Sequence, residues 1–195
     1  MFKIIKVVAL AITITACSEP SDDSVSKHDP VRSNFSLASV TTSEVISPSD
    51  IDEFSLIREE SFDGLKLDME IAELTPLIDC GAIKGEPVFW EGIGEIIQEW
   101  DYPECGVKLQ MSTADPNVSQ IVSSIAISAP SKLTTARGIH IGSSESEVMA
   151  AYADYEDTEH SAPGESFMAG SVYGGLIFSF EDDQVVRMFL GAGVE

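Results

Sequence analysis

Residues 137–148, RGIHIGSSESEV, decide the architecture because a related stretch, DGLKLDMEIAEL, occupies residues 63–74. In both stretches a glycine precedes an alternating apolar–polar–apolar triplet. A short acidic segment follows, which ends in Glu-Val in one stretch and Glu-Leu in the other. Self-similarity at a fixed offset, here 74 positions, is typical of an internal repeat. The sequence therefore predicts that one structural unit occurs twice.

Two further pairs of similar stretches follow in the same order. They are GVKLQM at 106–111 with GLIFSF at 175–180, and QIVSSIAI at 120–127 with QVVRMFL at 184–190. The offset falls from 74 to 69 and then to 64 positions, which indicates shorter connections in the second copy. We predict repeat 1 at residues 54–130 and repeat 2 at residues 131–195.

Each copy is predicted to be a short helix followed by three antiparallel strands. Ser144 and Glu147 have the spacing of a capping box, and Asp68 is the expected N-cap of the first helix. Thr75-Pro76 should break that first helix and restart it, while residues 54–58 are expected to form a short strand. The predicted fold class is α+β, with two tandem repeats, each a short helix packed on a three-stranded or larger antiparallel sheet.

Composition limits the possible partners. The chain has 195 residues, 44% of them hydrophobic, and a formal net charge of −22. This length and apolar content allow one medium domain or two small ones with a proper core. The negative charge repels phosphates and argues against nucleic-acid binding. It would attract a cation or a basic partner, although most such acidic residues simply cover a solvated surface.

The N-terminus has the features of an export signal. Lys3 and Lys6 precede a short apolar core, and residues 14–17, ITAC, resemble the lipobox of bacterial lipoproteins. This resemblance implies a signal peptide at 1–16, acylation of Cys17 and, since Ser18 follows, an outer-membrane anchor facing the periplasm of a Gram-negative bacterium. The alternative is an ordinary secretory signal with an unrelated cysteine. Residues 17–53 are rich in Ser, Asp, Thr and Pro, which predicts a flexible tether.

The two later cysteines, Cys80 and Cys105, are predicted to form a disulfide. An even pair in an exported chain favours one structural bridge. A redox pair would be closer together, and a zinc site would require more ligands than two distant thiols supply. A disulfide would close the chain segment between these two cysteines into a loop and would stabilise the fold by about 3 kcal/mol.

No catalytic constellation is apparent in the sequence. His28, His140 and His160 are expected to be surface residues. Common nucleophile, zinc and phosphate-loop motifs are absent from the sequence, and no cofactor is predicted. The acidic stretches 154–159 and 181–183 lack EF-hand spacing, so a weak cation site is only an alternative to a solvated loop.

The repeat pattern resembles two kinds of small exported α+β protein. They are the beta-lactamase inhibitor protein, which has two tandem helix-plus-sheet units, and the BamE-type (SmpA/OmlA) lipoprotein domain. The resemblance is carried by Gly138-Ile139-x-Ile141-Gly142 running into Ser144-x-x-Glu147-Val148, and more loosely by residues 64–74. The first copy departs from it because Asp68 replaces the second glycine. Fold-level similarity does not transfer a binding site.

We therefore expect a non-catalytic envelope protein that binds another protein, as an assembly accessory or an inhibitor. The aromatic residues Phe89, Trp90, Trp100 and Tyr102 could form an exposed patch for a protein or a glycan, although strand alternation favours a buried Trp100 on the same face as Ile96. The competing functions are a hydrolase that uses carboxylates such as Glu70, Glu95 or Glu147, and a cation or ligand sensor, each with its site between the repeats. A deep polar cleft would favour the enzyme, and an open sheet face would favour binding.

Overall fold

The computed structural model describes residues 54–192. Its helices are α1 (Ser55–Glu59), α2 (Ile71–Leu74) and α3 (Glu145–Tyr152), followed by a 3-10 turn at Ala153–Tyr155. The strands are β1 (Ile83–Lys84), β2 (Val88–Trp90), β3 (Glu95–Tyr102), β4 (Val107–Thr113), β5 (Ile121–Ser128), β6 (Ser166–Ser171), β7 (Gly174–Glu181) and β8 (Gln184–Gly191). The α+β class is as predicted. None of the helices in residues 54–192 is long and apolar enough to cross a bilayer. The predicted signal peptide, Cys17 and the tether lie outside the described residues.

All eight strands belong to one antiparallel sheet. Its order is β1-β3-β4-β5-β8-β7-β6, and β2 pairs with β3 beside β1. The β5–β8 pair, in which Ile125 faces Leu190 and Ile127 faces Met188, joins the earlier strands to the later ones. Each predicted triplet of strands is present as a meander, but the sequence did not indicate that the two meanders would share one sheet.

One face of this sheet forms the core. Alternate side chains along β3 and β4, among them Trp100 and Leu109, are buried, and cross-strand pairing continues the set into β5 and β8. Val148 and Tyr152 of α3 are fully buried in the same apolar cluster. The prediction of a buried Trp100 is confirmed.

Three predictions near the start of the described chain were wrong. Residues 54–58 are not a strand, since α1 occupies Ser55–Glu59 and packs on the β6–β7 hairpin. A side chain at Gly174 would meet Ile57 and Phe54, so glycine lets α1 approach the hairpin closely. The N-cap of α2 is Glu70 rather than Asp68, and the helix ends at Leu74 without restarting after Pro76.

Two predicted local features are present as expected. The Ser144 hydroxyl accepts the Glu147 N–H at 3.3 Å, and the Glu147 carboxylate accepts the Ser144 N–H at 2.7 Å, which completes the capping box of α3. The hydrogen bonds from Ser144 lower the pKa of the Glu147 carboxyl below its usual value, and the backbone N–H has a larger effect than the hydroxyl. Cys80 and Cys105 form a disulfide with their Cα atoms 6.3 Å apart, and it ties the segment after α2 to the β3–β4 turn.

A buried carboxyl group links α1 to the later part of the chain. Glu60 is only 2% exposed. Its Oε1 accepts the Ala136 N–H at 2.8 Å, and its Oε2 accepts the Tyr152 hydroxyl at 2.9 Å. The pKa of Tyr152 is raised far above its usual range, chiefly by burial. The phenol therefore stays protonated and donates to Glu60. The Arg137 guanidinium lies 5.2 Å from the Tyr152 ring centroid and covers this pair.

Candidate protein-binding surface

Exposed apolar side chains concentrate in one segment at the edge of the sheet. Within residues 54–192, ten large apolar residues are exposed, and five of them fall between positions 83 and 93: Ile83, Val88, Phe89, Trp90 and Ile93. Every residue from 83 to 94 is exposed. Scattered exposed apolar residues are ordinary, whereas their concentration in one segment is a feature typical of binding surfaces.

The backbone holds this segment as an outer strand along β3. β1 pairs with the end of β3, where Ile83 faces Asp101, and β2 pairs with its beginning, where Trp90 faces Glu95. Between them, residues 85–87 lie opposite only residues 98–99, so the outer strand carries one extra residue. The Gly85 N–H donates to the Glu99 carbonyl at 2.8 Å, and the Gln98 amide donates to the Gly85 carbonyl at 2.8 Å. These bonds keep the bulged segment attached to β3.

Cross-strand pairing assigns each side chain of this edge to a face. Lys84 pairs with the buried Trp100 and places its ammonium 3.4 Å from the ring centroid on the core face. The residues that pair with Glu95, Ile97 and Asp101 therefore lie on the opposite, open face. We call these three residues, Ile83, Val88 and Trp90, together with Ile97 of β3, the apolar strip.

Carboxylates border the apolar strip on the same face. Along the open face of β3, Glu95 and Glu99 lie on either side of Ile97, and Asp101 follows Glu99. We call Glu95, Glu99 and Asp101 the acidic strip. Lys108 on β4 lies beside them, with its ammonium 3.2 Å from the Glu99 carboxylate. That ion pair is largely exposed and is therefore weak. The open face thus presents the apolar strip beside the acidic strip.

The two edges of the sheet differ. The outer side of β6 is covered by its own preceding loop, since Asp157 N–H donates to the Met168 carbonyl and Met168 N–H donates to the Ser161 hydroxyl. β1 and β2 pair only with β3 among the described strands. Because an exposed apolar edge invites association, proteins usually shield it, as β6 is shielded here. The β1–β2 edge is left open.

The predicted aromatic patch is divided between core and surface. Phe89 and Trp90 are exposed, whereas Trp100 and Tyr102 are buried. Sequence reasoning missed Ile83, Val88 and Ile93 as surface residues. Their setting in a loop rich in breakers, with Gly85, Pro87, Gly92 and Gly94, was the available indication that they do not belong to the core.

The residues considered for catalysis lie on separate elements. Glu70 and Glu147 are each part of a capping box, at α2 and α3, and Glu95 begins β3. His140 is exposed, and its Nδ1 lies 2.6 Å from the hydroxyl of Ser143, which is only 3% exposed and also accepts the His140 N–H. That hydroxyl closes a turn and is shielded from any substrate.

An open groove of about 390 Å³ lies between α1 and the segment before α2, lined by Ile57, Arg58, Lys66, Leu67, Asp68, Met69 and Glu73.

The acidic stretches have structural roles. Asp157 accepts the backbone N–H groups of Glu159 and His160, which closes a turn. Asp182 and Asp183 have φ of 49° and 63° and form the two-residue turn between β7 and β8. Within residues 54–192, no group of three or more His, Cys, Asp and Glu side chains is arranged to hold a metal ion.

No protein-family model, curated protein or solved structure matches this chain.

Proposed function

We propose that this protein acts by binding another protein through the apolar strip at the β1–β2 edge. The observation that carries the proposal is the concentration of five exposed large apolar residues in eleven positions of one edge, three of which, Ile83, Val88 and Trp90, belong to the apolar strip. Trp90 lies within this group and is nearly half exposed, and tryptophan is enriched among the residues at the energetic centre of interfaces. The partly exposed open face beside it adds contact area of the kind such interfaces use.

We further propose that the protein works at the cell envelope as a lipid-anchored accessory or inhibitor. The sequence at 14–17 and the basic residues before it support export and acylation at Cys17. The disulfide supports an oxidising compartment such as the periplasm. With an anchor at position 17, the predicted tether up to residue 53 would connect the lipid to the folded part of the chain, and it is long enough to present the edge away from the bilayer.

Replacing Trp90 with alanine is expected to abolish partner capture while leaving the fold intact. Affinity capture from an envelope extract, with the full chain as bait and quantified by mass spectrometry, should enrich one protein above background. Trp90→Ala should lose that protein, because removing an exposed indole at a binding centre costs about 2 kcal/mol or more of affinity.

Tyr173→Ala is the matched control for this experiment. Tyr173 is 76% exposed, in the β6–β7 turn, so this variant removes a surface aromatic that is more exposed than Trp90 and should retain the partner. Equal melting temperatures of both variants and the wild type would confirm that neither change unfolds the chain. Failure to enrich any protein, or equal recovery with Trp90→Ala, would contradict the proposed function.

We also propose that residues 54–130 and 131–195 are two copies of one unit, as the similarity to the two exported α+β families implies. Four pairs of equivalent features support this. The helix N-caps Glu70 and Ser144, and the positive-φ residues Asp68 and Gly142, are both 74 positions apart. Asp68 N–H donates to Val122 O as Gly142 N–H donates to Val185 O. The register shifts at 110/111 and 179/180 are 69 apart.

Exchanging residues between the two equivalent turns tests this proposal. Asp68 and Gly142 have φ of 64° and 94°. Asp68→Gly should stabilise the fold by about 0.5 kcal/mol, and Gly142→Ala should destabilise it by about 1 kcal/mol. Gly142→Asp, which introduces the residue of the first copy, should cost less than Gly142→Ala because Asp tolerates positive φ better. Urea unfolding measures all three, and an Asp cost above the Ala cost would contradict the equivalence.

A further inference from the structure

The electrostatic character of the apolar edge defines the kind of partner it fits. Residues 83–101 carry five carboxylates and one lysine, a net charge of −4, and Lys108 reduces the local charge to −3. The carboxylates are not spread at random, because Glu95, Glu99 and Asp101 line the same open face as Ile83, Val88 and Trp90. A ligand that covers the apolar strip therefore brings its neighbouring groups against the acidic strip.

Resting on the function proposed above, we propose that the occupant of this edge is a cationic segment of a different protein. Its apolar side chains pack on Val88 and Trp90, and its Lys or Arg side chains bind Glu95 and Asp101. Charge complementarity of this kind raises the association rate and rejects wrong partners. Glu99, which already pairs with Lys108, contributes less.

Charge disfavours the other candidate occupants. A second copy of the chain carries a net charge of −22 and would place its own acidic strip against this one. The chain's own segment 18–53 holds eight acidic and two basic residues, a net charge of −6. An anionic lipid surface would be repelled by the same carboxylates. Strand addition along the full edge is also hindered, because Pro87 lacks an N–H and residues 85–87 interrupt the pairing register. Side-chain contacts on the open face remain as the binding mode.

Three synthetic peptides of equal length test the proposal against the full chain by titration calorimetry. The first alternates lysine with valine and leucine, the second replaces each lysine by glutamate, and the third replaces each apolar residue of the first by serine. The first peptide should bind at least tenfold more tightly than either of the others. Its affinity should fall as salt rises, because part of the attraction is screened.

Variants of the chain locate the peptide site. Trp90→Ala should weaken the first peptide at least tenfold. The double variant Glu95→Gln with Asp101→Asn should weaken it severalfold and flatten its salt dependence. Tyr173→Ala and Glu181→Gln, which alter an exposed aromatic and an exposed acid at other turns, should leave binding unchanged. Thermal melts of each variant establish that it is folded.

Four results would contradict the proposal of a cationic partner. The first two are equal binding of the glutamate peptide, and lysine-peptide binding that depends on neither Trp90 nor the acidic strip. The other two are Trp90-dependent self-association in sedimentation and Trp90-dependent binding to phosphatidylglycerol vesicles. If envelope capture requires Trp90 but the peptides are not distinguished by charge, the protein-binding function stands and the cationic partner is wrong. If capture is also independent of Trp90, both proposals fall.

Discussion

Glu60→Ala is expected to lower the free energy of unfolding by about 3 to 5 kcal/mol. The side chain is buried and accepts hydrogen bonds from three donors, of which Ala136 N–H and the Tyr152 hydroxyl come from elements far along the chain. Alanine would remove the acceptor of the Ala136 N–H and of the buried Tyr152 hydroxyl, and it would open a cavity between α1 and α3. Losing the acceptor of a buried donor costs about 1 to 3 kcal/mol, and the cavity adds to that cost.

Glu59→Ala is the matched control, because Glu59 is the neighbouring glutamate in α1 and is exposed. It should change stability by less than about 0.5 kcal/mol. Glu60→Gln should have an intermediate effect, since the amide oxygen can still accept from Ala136 while its NH₂ group replaces the acceptor of Tyr152. Urea unfolding at pH 7 with the disulfide intact, followed by tryptophan fluorescence, compares the three variants. Equal losses for Glu59→Ala and Glu60→Ala would contradict the buried role.

The contrast between Glu59 and Glu60 shows what the sequence could not provide. Both glutamates are adjacent in the sequence, and the partners that distinguish them lie 76 and 92 positions away. Features set by nearby residues were predictable, namely the capping box at Ser144 and the turns between consecutive strands. The cysteine pair could be predicted from the expected export of the chain and from the even number of later cysteines. Helix α1 was missed because five residues show no reliable periodicity.

Long-range pairing accounts for the other differences. An alternating apolar strand fits many partners equally well, so nothing in residues 121–128 or 184–191 specified that β5 and β8 would join. The same limit applies to the candidate site. Val88-Phe89-Trp90 has the composition of a buried strand, but no strand pairs with its outer side among the described residues. Burial is decided by position in the sheet as well as by residue type.

Gly106→Ala is expected to destabilise the fold by about 3 kcal/mol or more. Gly106 has a φ of 62°, which costs about 1 kcal/mol or more for alanine. The larger effect is steric, because the chain at residues 128–131 crosses directly over this glycine. A Cβ atom there would lie 2.7 Å from Ser131 N and 2.9 Å from Pro130 N, and closer still to the Ser128 carbonyl oxygen. All three are backbone atoms, and the Ser128 N–H is itself bonded to Gly106 O at 2.9 Å.

Gly138→Ala separates the conformational cost of this substitution from the steric one. Gly138 also has positive φ, 84°, but no heavy atom beyond its two chain neighbours lies within 4 Å of its Cβ position. Gly138→Ala should therefore lower the free energy of unfolding only by the conformational cost, about 1 to 2 kcal/mol. The difference between the two variants in urea unfolding measures the clash with the 128–131 crossing. Because Cys105 is adjacent and bonded to Cys80, the thiol content of Gly106→Ala should be measured as well. Equal losses for the two glycines would mean that the 128–131 backbone moves aside at little cost.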